Sequence, residues 1–86
     1  MMRKKIVAAN WKMNTTFSEG ELLLNEIIKV EQNNPAPEVL KIIAPPFILL
    51  KSIADKLKNI NDFETASQNC HHEISGAYTG EVSAGM

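Results

Sequence analysis

The chain has 86 residues, enough for one small domain, and its 44% hydrophobic and 22% charged residues are ordinary for a soluble globular protein. Its net charge of −1 provides no basic field that would attract nucleic acid or an anionic membrane, so neither is expected as a partner. A single cysteine excludes an internal disulfide, and no stretch has the length of a membrane span or of the apolar part of a secretory signal, so we expect a cytoplasmic protein.

The first half of the chain predicts a strand followed by a helix. Ile6–Ala9 is an apolar run of strand length. Two overlapping capping-box patterns, which begin at Thr16 and at Ser18, predict the start of a helix. The helix continues through an apolar stripe within Leu22–Val30, and the proline-containing segment Asn33–Pro37 ends it.

The second half repeats this alternation and then loses it. Val39–Ala44 predicts a second strand, Phe47–Asn59 a second helix and Phe63–Ser67 a third, more polar strand. The order indicates parallel strands joined by crossover helices, an α/β fold. Doubly wound sheets and barrels both begin this way, but no Gly-rich phosphate motif follows the first strand. Gln68–Met86 has no clear periodicity and is interpreted as a long functional loop.

An amide and a cation directly follow the first strand. In an extended chain Asn10 and Lys12 point the same way, with Trp11 directed oppositely. Active sites of α/β proteins lie beyond the carboxyl ends of the parallel strands, where a lysine can bind phosphate or stabilise a developing oxyanion. The spacing by itself favours a solvated surface lysine beside a turn asparagine. Trp11 is interpreted as a packing or interface residue.

Three motifs resemble the triosephosphate isomerase family. Ala9–Asn14 is similar to the Asn-Trp-Lys-Met-Asn run that closes the family's first barrel strand, and Ala44–Phe47 resembles the end of its second strand. Gln68–Cys70 and Gly76–Ser83 resemble its third strand-to-helix loop. The resemblance implies that residues 1–86 are the amino-terminal part, about a third, of a single TIM (β/α)8 barrel of about 250 residues.

The resemblance also implies a function and a set of site residues. The family interconverts dihydroxyacetone phosphate and glyceraldehyde 3-phosphate, in glycolysis and gluconeogenesis, without a cofactor or metal. Asn10 and Lys12 would be the substrate-binding and catalytic pair of this chain. In a homodimer, Thr79 would reach into the second subunit near that subunit's counterparts of Asn10 and Lys12, and Gln68 and Glu81 would belong to the same interface.

The family is a standard example of catalysis by a glutamate base and a neutral histidine electrophile. The resemblance implies that neither group has a counterpart in this sequence. His71 and His72 lie in the third-strand loop and do not match the electrophile. We therefore expect the 86-residue chain to be inactive alone. Its unpaired sheet edges and exposed apolar face should make it aggregate, or be stable only with a complementary fragment or a partner chain. The alternatives are another phosphate-handling barrel enzyme, or a non-catalytic truncated α/β fragment or interaction module.

The Cys70–His72 segment supports neither a metal site nor a nucleophile. Adjacent residues of an extended chain point to opposite faces, and no second cluster supplies further ligands. A nucleophilic thiol needs a positioned base and an electropositive setting, so Cys70 is interpreted as a small buried thiol.

Overall fold

The computed structural model describes residues 3–86, which contain three strands and two helices. In chain order these are β1 (Lys5–Asn10), α1 (Phe17–Asn33), β2 (Val39–Ala44), α2 (Phe47–Leu57) and β3 (Phe63–Thr65). The alternation of strands and helices predicted from the sequence is confirmed. The second helix and third strand are each two residues shorter at their carboxyl ends than predicted.

The strands form one parallel sheet in the order β1-β2-β3. Lys5 to Asn10 of β1 pair in register with Val39 to Ala44 of β2, so that the two strands end level with each other. β3 is shorter and pairs only with Lys41–Ile43. Both outer edges of this sheet are unpaired within residues 3–86, which form an open part of a barrel-type β/α arrangement, not a closed barrel. Neither helix has the length and apolar character needed to cross a membrane in this described range.

The start of α1 follows from the first of the two capping patterns. The Thr16 side chain accepts a hydrogen bond from the Glu19 N–H at 3.3 Å, and the Glu19 carboxylate accepts one from the Thr16 N–H at 2.9 Å. The bonds from Thr16 lower the pKa of the Glu19 carboxyl. Ser18 of the alternative pattern lies inside the helix, so this second capping prediction is wrong.

The core lies between the two helices and one face of the sheet. Leu24 of α1 and both Leu49 and Ile53 of α2 have no exposed surface. Gly20 of α1 is buried directly against Leu49, which lets the two helices approach closely. The other buried members of this hydrophobic cluster are Trp11, Ile43, Leu57 and Phe63.

A half-buried ion pair joins α1 to β2. Lys41 Nζ lies 2.7 Å from Glu31 Oε1, donates a further 2.7 Å hydrogen bond to the Ala36 carbonyl and stands 5.3 Å from the centre of the Phe63 ring. The hydrogen bond from Lys41, reinforced by the Ala36 N–H, holds the pKa of the Glu31 carboxyl below its usual range. This contact fixes the turn between α1 and β2.

The interpretation of Cys70 as a buried thiol is wrong, because its side chain is exposed. The cysteine follows β3 by five residues and lies in the terminal loop, outside the cluster that the helices and the sheet enclose. Its apolar character therefore did not predict its position. Trp11, in contrast, is 9% exposed and belongs to the core, as predicted.

Candidate active site at the carboxyl end of the first strand

Asn10 is the last residue of β1, and its side chain shapes the turn that follows. The Asn10 Oδ1 atom accepts a hydrogen bond from the Lys12 N–H at 2.9 Å. Between them, the Trp11 N–H donates to the Ala44 carbonyl at 3.1 Å, and the indole is buried. Asn10 and Lys12 are both exposed, so an amide and an ammonium group are available to solvent where β1 ends.

Lys12 departs from the extended backbone expected from the sequence. Its φ angle is +57°, in the left-handed region that residues other than glycine rarely occupy. The alternation of side chains along β1 therefore stops at Asn10, and the extended-chain reason given for the pairing of Asn10 with Lys12 is wrong. Such a backbone conformation persists only where the surrounding structure holds it.

The loop that begins at Lys12 is held by a side chain from the segment that follows the third strand. The Gln68 Nε2 atom donates to the Lys12 carbonyl at 2.9 Å and to the Ala44 carbonyl at 2.9 Å. These two bonds join the ends of β1 and β2 to the segment after β3. Sequence reasoning placed Gln68 at a subunit interface and missed this contact, because no local pattern reports a side chain bonded to a carbonyl 56 positions away.

Further along the same loop, a second side chain closes the turn. The Asn14 Nδ2 atom donates to the Trp11 carbonyl at 2.9 Å. Thr15 is left-handed as well, with a φ of +73°, and its hydroxyl oxygen is buried without a hydrogen-bond partner among the described residues. The loop between β1 and α1 thus contains two strained residues, and both precede the helix cap at Thr16.

The loop after β3 is long, as predicted, and is closed at its base. The His71 N–H donates to the Val82 carbonyl at 2.7 Å, and His71 forms a parallel bridge with Ser83. The His71 ring lies 4.3 Å from the Tyr78 ring and its Nδ1 atom lies 3.9 Å from Glu81 Oε2. The residues between these anchors, 72–81, are all exposed and are called the projecting loop below.

The predicted site residues therefore fall into two groups. Asn10, Lys12 and Gln68 meet at the carboxyl end of the sheet. Thr79 and Glu81 are exposed on the projecting loop, and within residues 3–86 no hydrogen bond or ion pair joins them to Asn10 or Lys12. The described part of the chain contains no group of three histidine, cysteine or acidic side chains arranged to hold a metal ion.

The strands are parallel and joined by crossover helices, and an amide and a lysine lie where the first strand ends. This arrangement is that of an α/β protein built from barrel-type β/α units. Comparison with known families identifies the particular group. The family model described as triosephosphate isomerase matches residues 5–86. The chain belongs to the triosephosphate isomerase family.

Individual relatives agree with this match. A triosephosphate isomerase of Amoebophilus asiaticus is 45% identical over 99% of this chain and 34% of its own length. One of Flavobacterium psychrophilum is 48% identical over 99% of this chain and 33% of its own length, and one of Geotalea uraniireducens is 41% identical over 99% and 33%. The chain thus spans about a third of the length of the curated relatives it matches.

Proposed function

We propose that this chain is the substrate-binding amino-terminal part of an enzyme that interconverts dihydroxyacetone phosphate and glyceraldehyde 3-phosphate in the cytoplasm. The observation that carries the proposal is the solvent-exposed Asn10–Lys12 pair at the carboxyl end of β1, in a chain of the triosephosphate isomerase family. The names of its relatives support the same reaction.

Lys12 has the chemistry that this reaction requires of a binding residue. The substrate carries a phosphate dianion, and moving a proton between adjacent carbons places negative charge on an enediolate-like intermediate. An ammonium group that is already oriented stabilises both charges without further reorganisation. Asn10 uses its Oδ1 atom to hold the Lys12 N–H, which leaves its amide hydrogens available for a substrate oxygen.

The 86 residues by themselves should convert little or no substrate. Acid–base catalysis contributes about 10²–10⁴-fold in typical enzymes. Among the described residues no carboxylate or imidazole forms an ion pair or hydrogen bond with the Lys12 ammonium group, and His71 instead lies beside Glu81. We infer that the base and the electrophile belong to the part of the barrel that the relatives have beyond the matched third.

We also infer that the enzyme acts as a homodimer in which the projecting loop contacts a second copy. The exposure of Thr79 and Glu81 supports this role, as does the closure of the loop base by the His71–Val82 hydrogen bond. The closed base joins the two ends of the loop, while its tip stays exposed. Gln68, in contrast, already uses both of its amide hydrogens within its own chain.

The proposal can be tested with a fused chain, in which residues 1–86 replace the matching segment of the Amoebophilus asiaticus relative. We expect this fused chain to interconvert the two triose phosphates in a coupled assay, and the 86-residue chain to show no turnover above background. In the fused chain, Lys12→Met should lower kcat/KM by about 10²-fold or more, the usual effect of removing one oxyanion-stabilising group. Lys29→Met is the matched control, because Lys29 is an exposed lysine on α1.

Two results would contradict the proposal. Turnover by the 86-residue chain at the rate of the fused chain would show that the missing groups are not needed. A soluble, folded fused chain without isomerase activity would favour the alternative, a non-catalytic α/β fragment or interaction module.

A further inference from the structure

We propose that Gln68 is a positioning residue for Lys12: its amide fixes the left-handed backbone of Lys12 and thereby the direction in which the ammonium group leaves the sheet. This inference rests on the proposed function, since it assigns a role to Gln68 within the same site. It goes beyond a subunit-interface role for Gln68, because both contacts lie within one chain.

The geometry matches the donor capacity of a primary amide. A glutamine NH₂ group carries two hydrogens, and Gln68 Nε2 lies 2.9 Å from each of two carbonyl oxygens, those of Lys12 and Ala44. Ala44 ends β2 and already accepts from the Trp11 N–H. The Gln68 amide therefore links the loop at Lys12 to the end of the neighbouring strand, β2.

Both peptide groups that flank Lys12 are held by side chains. The Lys12 N–H donates to Asn10 Oδ1 at 2.9 Å, and the Lys12 carbonyl accepts from Gln68 at 2.9 Å. The preceding Trp11 is fixed by its buried indole and by the bond from its N–H to the Ala44 carbonyl, so Lys12 is the next residue whose backbone the Gln68 bond constrains. If the Gln68 bond were lost, Lys12 could relax from φ +57° to the ordinary regions, and this would redirect its side chain.

Only glutamine meets these requirements among side chains of this length. A glutamate at position 68 would present oxygens to two carbonyl oxygens and would repel both. A methionine has the same reach but no donor, and an asparagine is one methylene shorter. If Gln68 had a purely structural role and only linked β2 to the loop, these changes would weaken phosphate binding equally with and without the Lys12 side chain.

This difference defines the experiment. In the fused chain, we would measure kcat and KM, and the dissociation constant of inorganic phosphate by direct titration, for Gln68→Met, Gln68→Glu and Gln68→Asn. We expect Gln68→Met and Gln68→Glu to lower kcat/KM about tenfold and to weaken phosphate binding, the effect of losing two modest hydrogen bonds. Gln32→Met is the matched control, since Gln32 is an exposed glutamine on α1.

A double-mutant cycle with Lys12→Met separates positioning from structure. If Gln68 acts through Lys12, Gln68→Met should weaken phosphate binding when Lys12 is present and have no effect when it is absent. An equal cost in both backgrounds, or unchanged binding and kinetics in Gln68→Met and Gln68→Glu, would overturn the inference. If Gln68→Met does not fold, the same comparison is made with Gln68→Asn.

The failure of this inference is distinguishable from that of the proposed function. An unsubstituted fused chain without isomerase activity would refute the function, while the phosphate titrations would still decide whether Gln68 orients Lys12. An active fused chain whose Gln68 variants match the Gln32 control would refute the positioning role alone.

Discussion

The packing of Gly20 against Leu49 gives a prediction whose sign depends on a second residue. A Cβ atom added at Gly20 would lie 2.8 Å from Leu49 Cδ2 and 3.1 Å from Leu49 Cγ, closer than carbon atoms pack. Leu49 is fully buried, so its side chain has little room to move away. Gly20→Ala therefore requires the Leu49 side chain or the two helices to shift.

Two opposing effects set the change in the free energy of unfolding that Gly20→Ala causes. Alanine favours a helix interior over glycine by about 1 kcal/mol. Overpacking a core costs about 1–3 kcal/mol. In the fused chain we expect Gly20→Ala to lower the free energy of unfolding by roughly 1 kcal/mol, measured as a lower urea midpoint with an unchanged slope.

The background without Leu49 should reverse this effect. Leu49→Ala alone should cost about 2–5 kcal/mol because it opens a cavity. In that background the clash is gone, so Gly20→Ala should stabilise the protein by about 1 kcal/mol through helix propensity alone. Gly85→Ala is the control, since nothing lies within 4 Å of its added Cβ. If Gly20→Ala stabilised the protein with Leu49 in place, the close approach of the helices would be refuted.

Three further predictions concern the cap, the ion pair and the open sheet. Thr16→Ala should destabilise the fused chain by about 1 kcal/mol in urea unfolding, since it removes the acceptor for the Glu19 N–H, and an unchanged midpoint would contradict the observed cap. Lys41 lowers the pKa of the Glu31 carboxyl, so the ion pair stabilises the fold at pH values above the ordinary glutamate pKa, and this stabilisation is lost as the pH falls through the lowered pKa. Glu31→Gln should therefore make the free energy of unfolding fall less steeply on the acid side. An equally steep fall would argue against the pair. The 86-residue chain should associate through its two unpaired sheet edges and its exposed apolar side chains, such as Val7 of β1, which is 60% exposed; sedimentation showing a compact monomer would contradict this.

The fold was predictable because local signals agreed with one another. The capping pattern at Thr16 immediately precedes the observed start of α1, and the predicted terminating segment Asn33–Pro37 begins at its last residue. The β2 strand was predicted with both limits correct, since a charged or proline residue bounds the apolar run at each end. The prediction for β3 is two residues too long, because β3 pairs only with Lys41–Ile43 of β2. Pairing with a neighbour, and not the propensity of its own residues, decides where a short polar strand ends.

The candidate site was predictable only in part. Asn10 and Lys12 are predicted as site residues because they follow an apolar strand directly and match a family motif; the structure places them at the end of that strand, and their role stays a prediction. The left-handed backbone of Lys12 was not found, since lysine has no preference for that region and the residues that hold it are distant in sequence. The exposure of Cys70 was missed for a related reason: burial depends on which elements cover a residue, and apolar character alone does not supply them.

The contacts of Lys12 explain why its motif cannot act as an isolated segment. The Asn-Trp-Lys run contains the ammonium group and one of the two side chains that fix its backbone, but the other comes from beyond β3. The distance between the two side chains, those of Asn10 and Gln68, is set by the level ends of β1 and β2 and by the pairing of Ile43 with Thr65. A slip of β2 by one residue would replace Ala44 at the strand end and separate the carbonyls that the Gln68 amide joins. The orientation of the lysine is thus a property of three strands held in register, and any change that shifts β2 should weaken phosphate binding even where it touches neither Lys12 nor Gln68.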